Sequence, residues 1–268
     1  MSKCVLFFLL VFIFLFINPE VFGQKIEING PAGSEQFGHN ITILPNGNIV
    51  VIDPYYDDGV KTNVGAVYLY NGSSATLMSI IKGNTSNDLI GYAGIKKLAN
   101  GNFLILSPFY NDGANIQAGA VTWCNATTGI SGIVNSANSL IGNTTNANLG
   151  ADSVKLLPNG NYLICCRNTA NGSATEVGSV TWATQTTGIT GIISPANSLI
   201  GAATGDLIGF GGNTVKILTN GNYIVGSSSW DNGPITNAGA VTWCDGTIGK
   251  IGNVNTTNSL TGSQMGDG

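Results

Sequence analysis

The 268-residue chain is 43% hydrophobic and only 9% charged, enough apolar material to bury a sizeable core and too much for a wholly disordered polymer. Its net charge of −4, with nine Lys and a single Arg at Arg167, excludes nucleic acid as a partner, because no cationic stripe is present to displace phosphate counterions. A basic membrane-surface patch is missing for the same reason.

At the start, Lys3 precedes an apolar stretch over residues 4–17, followed by Asn18-Pro19 and the small residue Gly23. That order of charge, apolar core and small-residue exit predicts a secretory signal peptide over residues 1–23, cleaved after Gly23. The stretch is shorter than the roughly 20 residues a membrane helix needs, so the mature chain is expected to carry no membrane span, with an uncleaved anchor as the alternative. Cleavage leaves Cys124, Cys165, Cys166 and Cys244. Cys124 and Cys244 occupy the same place in non-adjacent copies of a repeat, and Cys165 and Cys166 are strand neighbours pointing to opposite faces, so buried free thiols are expected in place of disulfides.

Internal repetition dominates the rest, and residues 24–268 read as one repeat domain. Units fall at about 30–83, 84–142, 143–201 and 202–262, with 263–268 beginning a further one. Each unit predicts four strands. The first alternates apolar and polar residues (Ile41-Thr42-Ile43, Val154-Lys155-Leu156, Val215-Lys216-Ile217), with Thr or Lys expected outward. Asn-Gly-Asn follows, at Asn46, Asn100, Asn159 and Asn220, and predicts a hairpin, because both Asn and Gly accept positive φ. The second strand, over 49–52, 103–106, 162–165 and 223–225, is almost wholly apolar and therefore covered on both faces. Nineteen residues after each first Asn a Gly opens the third strand, Gly65-Ala66-Val67 in the first unit and Gly-Ala-Val-Thr-Trp or a close variant in the others. The fourth strand is expected around Ile80-Ile81, Ile133-Val134 and Ile192-Ile193.

Such a unit cannot bury its apolar faces alone, so neighbouring sheets must stack. The fold class expected is all-β: a β-propeller-like array of four four-stranded antiparallel blades, part of a longer propeller, with a β-solenoid as the alternative. Phe37-Gly38, the Asn-Gly turn, Asp53-Pro54 and the Gly65–Tyr70 strand resemble the FG-GAP repeat of integrin-α-type propellers, echoed by Phe210-Gly211 and Ser107-Pro108. The Val-Thr-Trp and Asn-Ser-Leu-Ile-Gly elements resemble a repeat of unassigned function in bacterial haemagglutinin-like surface exoproteins. The resemblance covers nearly all of residues 30–268 and implies a cell-surface or secreted propeller. Many FG-GAP blades carry a calcium loop, but here that place holds Pro-Asn-Gly-Asn or a variant without carboxylates, so calcium is not implied.

No catalytic set is legible. The one histidine, His39, has no nucleophile paired to it by the repeat, and His/Cys/carboxylate clusters for a metal are missing; no cofactor is expected. The loop between the second and third strands is the candidate ligand-binding rim, carrying Tyr55, Tyr56, Asp57 and Asp58, then Phe109, Tyr110, Asn111 and Asp112, then Trp230 and Asp231. Aromatic rings followed by Asp or Asn suit stacking on a sugar face and bonding its hydroxyls, and equally suit an extracellular protein partner. The competing structural reading is a Gly turn with an aromatic ring tucked against the next blade. Trp123, Trp182 and Trp243 share one column with Leu69 and read as packing. The expected function is non-catalytic adhesion or binding. The alternatives are a structural spacer and a glycan hydrolase whose carboxylates meet across blades.

Overall fold

The computed structural model describes residues 27–151, 154–210 and 214–268. The expected signal peptide lies outside them. The protein is all-β, and its four repeats build a propeller-like array of four mainly antiparallel blades.

The first blade has the order β1 (Asn40–Ile43), β2 (Ile49–Asp53), β3 (Ala66–Tyr70), β4 (Leu77–Lys82). The second uses β5 (Ile95–Lys97), β6 (Phe103–Ser107), β7 (Ala120–Cys124) and β9 (Ser139–Ile141). The third uses β10 (Val154–Leu156), β11 (Tyr162–Cys166), β12 (Ser179–Ala183) and β14 (Leu199–Ile200). The fourth uses β15 (Val215–Ile217), β16 (Tyr223–Ser227), β17 (Ala240–Cys244) and β19 (Leu260–Thr261).

The remaining strands correct the expected fourth strand. Ile133 and Ile192 lie in β8 (Gly132–Ile133) and β13 (Gly191–Ile192), which do not complete their own blades. Each reaches back and pairs in parallel with the last strand of the blade before it: β8 with β4, β13 with β9, and β18 (Gly252–Asn253) with β14. The true fourth strand is the Ser-Leu-Ile segment. In the first unit only residues 71–76 separate β3 from β4, and no such back-reaching strand is made.

The expected Asn-Gly hairpin joins the first two strands of every unit. Gly47, Gly101, Gly160 and Gly221 have φ between 85° and 89°, but the Asn before each does not enter the positive region. In the first unit the amide of Gly47 donates to Leu44 O and that of Leu44 to Asn48 O, a tight turn followed by a left-handed Gly. The Gly opening the third strand is required for two reasons. Gly65, Gly119 and Gly178 have φ of 74°, 75° and 70°, and a Cβ there would strike the backbone of Ile90, Leu149 and Ile208 respectively.

Period-2 alternation gives each blade a forward and a rear face. Forward side chains of one blade meet rear side chains of the next. Val50, Ile52, Val67, Leu69 and Ile81 pack against Phe103, Ile105, Ala120 and Cys124. Leu104, Val121 and Leu140 meet Tyr162, Ile164 and Cys166. Leu163, Val180 and Leu199 meet Tyr223, Val225 and Cys244. Each fully buried Leu or Ile contributes about 1.5–3 kcal/mol in such a seam. All four described cysteines are buried and outside any disulfide, with Cys165 and Cys166 serving different seams.

The first strand corrects another expectation. In β1 it is Ile41 and Ile43 that are exposed, at 61% and 66%, while Thr42 is half-buried. Ile41 and Ile43 stand opposite Val51 and Ile49, on the rear face, against which no other blade packs among the described residues. Ile95 and Val154, the counterparts of Ile41, each have a blade behind them and are half-buried. The centre of that first rear face is instead covered by the chain's own lead-in, with Ile28 and Phe37 packed on Val51, Ala66, Tyr68 and Tyr70. Phe37 meets Tyr68 edge-on, with ring centroids 5.3 Å apart.

Candidate functional site

The loop between the second and third strands has the same geometry in all four units. Asp58 and Lys61 exchange backbone hydrogen bonds, as do Asp112 and Asn115, Asn171 and Ala174, and Asn232 and Ile235. Gly59, Gly113, Gly172 and Gly233 sit in these turns at φ of 59–67° with open space around them, so backbone conformation alone accounts for them.

Most of the polar residues expected to form the rim are spent on building it. Asp57 Oδ1 accepts from the Asn63 amide at 2.7 Å, Asn111 Oδ1 from Gln117 at 2.9 Å, and Asp231 Oδ1 from Asn237 at 2.8 Å. The three amides belong to left-handed residues, at φ of 54°, 53° and 49°, which these acceptors hold in place. Asp58 pairs with Lys82 Nζ at 2.8 Å, and Asp112 closes its turn through its backbone.

The ring at the second position of the loop, present in the first, second and fourth units, is a packing residue. Tyr110 and Trp230 are buried in the seams before their blades. The Tyr110 hydroxyl donates to Val134 O at 3.1 Å, and burial pushes its pKa up to about 12. Tyr56 packs edge-on against Tyr68. Tyr110 and Trp230 are anchors between sheets, and Tyr56 packs on the rear face of the first.

Beneath the loops lie two carboxylates that sequence reasoning passed over. Asp88 is fully buried. Its Oδ2 accepts from the amides of Asn84 and Thr85, and its Oδ1 from the amide and side-chain nitrogen of Asn111, all at 2.8–3.0 Å. Asp206 accepts from Ala202, Ala203 and Asp231 in the same way. Burial raises both above the ordinary carboxylate range, against the opposing pull of these hydrogen bonds. The shared segments Asp88-Leu89-Ile90-Gly91 and Asp206-Leu207-Ile208-Gly209 were the available signal.

Two of the expected rim residues do face outward together. Tyr55 and Phe109 flank Tyr92, which is 41% exposed, with ring centroids 6.5 and 4.9 Å from it. His39 extends the line, 6.2 Å from Tyr55, and hydrogen-bonds Gln36 at 3.0 Å. The result is a row of four rings across the first two blades. Tyr92 follows the Asp-Leu-Ile-Gly segment, as Phe210 does in the unit where the Arg167 guanidinium stacks on its ring at 4.4 Å. Among the described residues no group of three or more His, Cys, Asp or Glu is placed to hold a metal ion, and no helix is long and apolar enough to cross a membrane.

The chain matches a family model described as a repeat of unknown function (DUF5650) four times, over residues 43–93, 97–151, 156–210 and 217–268. No curated protein matches it.

Proposed function

We propose, for a chain that belongs to this family of repeats of unknown function, a secreted or cell-surface binding module without catalytic activity, whose ligand is a glycan chain laid along the row of rings. The observation that carries this reading is the grouping of Tyr55, Tyr92 and Phe109, contributed by three separate loops of two blades, with Tyr92 open to solvent. Aromatic faces beside Tyr hydroxyls suit a ligand with an apolar ring face and hydroxyl edges. The leader-like residues 1–23 support export, and the FG-GAP-like and exoprotein-like motifs support a surface propeller of more blades than four.

Binding of the purified chain to an array of polysaccharides and cell-surface glycans tests it. Tyr92→Ala and Phe109→Ala should each weaken the leading hit about tenfold, a loss of about 1.4 kcal/mol, while Asp112→Ala should not. Absence of any hit, or a hit indifferent to both ring removals, would sink the proposal. The spacer reading gains from the internal use of Asp57, Asn111 and Asp231, and it predicts that no glycan or protein is retained at all.

A further inference from the structure

The three seams between blades share one polar device. Asn46 and Asn48 both donate their side-chain nitrogens to Ala126 O of the following blade, at 2.9 Å. Asn100 and Asn102 do the same to Gln185 O, and Asn159 and Asn161 to Gly246 O. The indole nitrogens of Trp123 and Trp182 add a third donor to the same two carbonyls, at 2.9 and 3.0 Å. Each of these carbonyls lies in the turn after the third strand of the next blade. The Asn-Gly-Asn motif is therefore a grip on the next unit as well as a turn.

The fourth blade carries the whole device with nothing in it. Among the described residues the side-chain nitrogens of Asn220 and Asn222 and the indole nitrogen of Trp243 meet no acceptor. On the same forward face Val241, Trp243 and Leu260 are 45%, 53% and 79% exposed. Their third-blade counterparts are Val180, Trp182 and Leu199; Val180 and Leu199 are buried, and Trp182 packs on the seam core. β19 has an open edge where β4, β9 and β14 each take a parallel strand from the next unit. Beside it an open hollow of about 500 Å³ is lined by Gly226, Ala238, Gly239, Val241 and Leu260. In earlier units Ile90, Leu149 and Ile208 fill the corresponding place, their amides donating to Val64, Ala118 and Val177.

We propose that this face is the docking surface for a further unit of the same repeat, joined in the same head-to-tail order. The incoming unit would supply an apolar lead-in residue for the hollow, a parallel strand for β19, a rear face of Val, Ala and Cys type, and a turn carbonyl for Asn220, Asn222 and Trp243. The first unit of a second copy does not fit this description. Its rear face carries Tyr68 and Tyr70 under Phe37, and its short link between β3 and β4 makes no back-reaching strand.

The test is to lengthen the full chain after Gly268 with a duplicate of residues 208–268, which keeps the register of the repeat, and in a second version with a duplicate of residues 149–207. Acrylamide quenching of Trp243, isolated by comparison with Trp243→Phe, should fall several-fold in either extended chain. Val241→Asp should restore quenching there, while leaving the stability of the original chain nearly unchanged. Trp243 remaining equally quenchable in both extensions would overturn the proposal. So would sedimentation showing that the original chain dimerises in a manner abolished by Val241→Asp, because the occupant would then be a second copy.

Discussion

The two ends of the array meet water in opposite ways. At the first blade the rear face has been rebuilt. Where the later blades bury the hydroxyl pairs Thr122–Ser139, Thr181–Ser198 and Thr242–Ser259, the first places Tyr68 opposite Ile80 and folds its own lead-in over the tyrosine. At the fourth blade nothing has been rebuilt, and the forward face keeps the Val, Leu and Trp of an interior seam. A repeat stack needs end units with altered outer faces, and here that alteration is written into one end. The same side chain is thus a core residue or a surface residue according to what lies beyond it.

The largest expected difference comes from placing a charge at equivalent positions of the two kinds of face. Val180→Asp would bury an unpaired carboxylate in the seam between the third and fourth blades, where Val180 is fully buried, and should cost about 3–5 kcal/mol. Val241→Asp, at the open face, should cost less than about 0.5 kcal/mol. Urea unfolding of both variants measures the contrast, and equal losses would mean that the fourth face is covered in solution.

A smaller contrast separates Asp88 from its fourth-unit counterpart Asp267. Both accept two backbone amides through one oxygen, but Asp88 is buried and takes two more bonds from Asn111, whereas Asp267 is exposed. Asp88→Asn turns a donor toward amides and should cost about 1–3 kcal/mol; Asp267→Asn should cost little. The pH dependence has a definite sign. The folded Asp88 carboxyl is raised above its ordinary value of 3.8, so its protonation favours the folded state. That contribution is complete below 3.8 and is lost as pH rises through the folded pKa. The stability gap between the native chain and Asp88→Asn should therefore widen as pH falls toward 4, and a gap that narrows would contradict the raised carboxyl.

The finest distinction is one hydrogen bond. Trp182→Phe removes the indole donor to Gly246 O and should cost about 1 kcal/mol beyond the change in packing. Trp243→Phe removes a donor that meets no acceptor among the described residues and should be nearly neutral in thermal unfolding.

Much of the architecture was legible because it is local and repeated. The apolar second strand and the Gly that opens the third recur at a fixed place in every unit, and the four-fold spacing follows from them. What escaped was long-range. Gly132-Ile133 and Gly191-Ile192 look like the closing strand of their own blades, since a two-residue strand carries no mark of which sheet it joins. Asn46 and Asn48 look like turn residues because the turn explains them, and their second bond goes to a residue about 80 positions away. The candidate rim split for a similar reason. Asp57, Asn111 and Asp231 have the chemistry of ligand contacts, but the left-handed residues they hold are invisible in composition. Tyr55 and Phe109 emerged as a pair only through Tyr92, which comes from a loop outside the motif.

The strands that reach backward give the array a direction. When the fourth unit opens, β18 leaves with it and the third sheet is stripped of its outermost member; when the first unit opens, only the partner of β8 is lost and no later sheet is thinned. Melting that begins at the far end should therefore erode each predecessor in turn, as a zip does when drawn from its tab. Hydrogen exchange would register this as amides of β14 losing protection together with β16 and β17, ahead of those in β2 and β3.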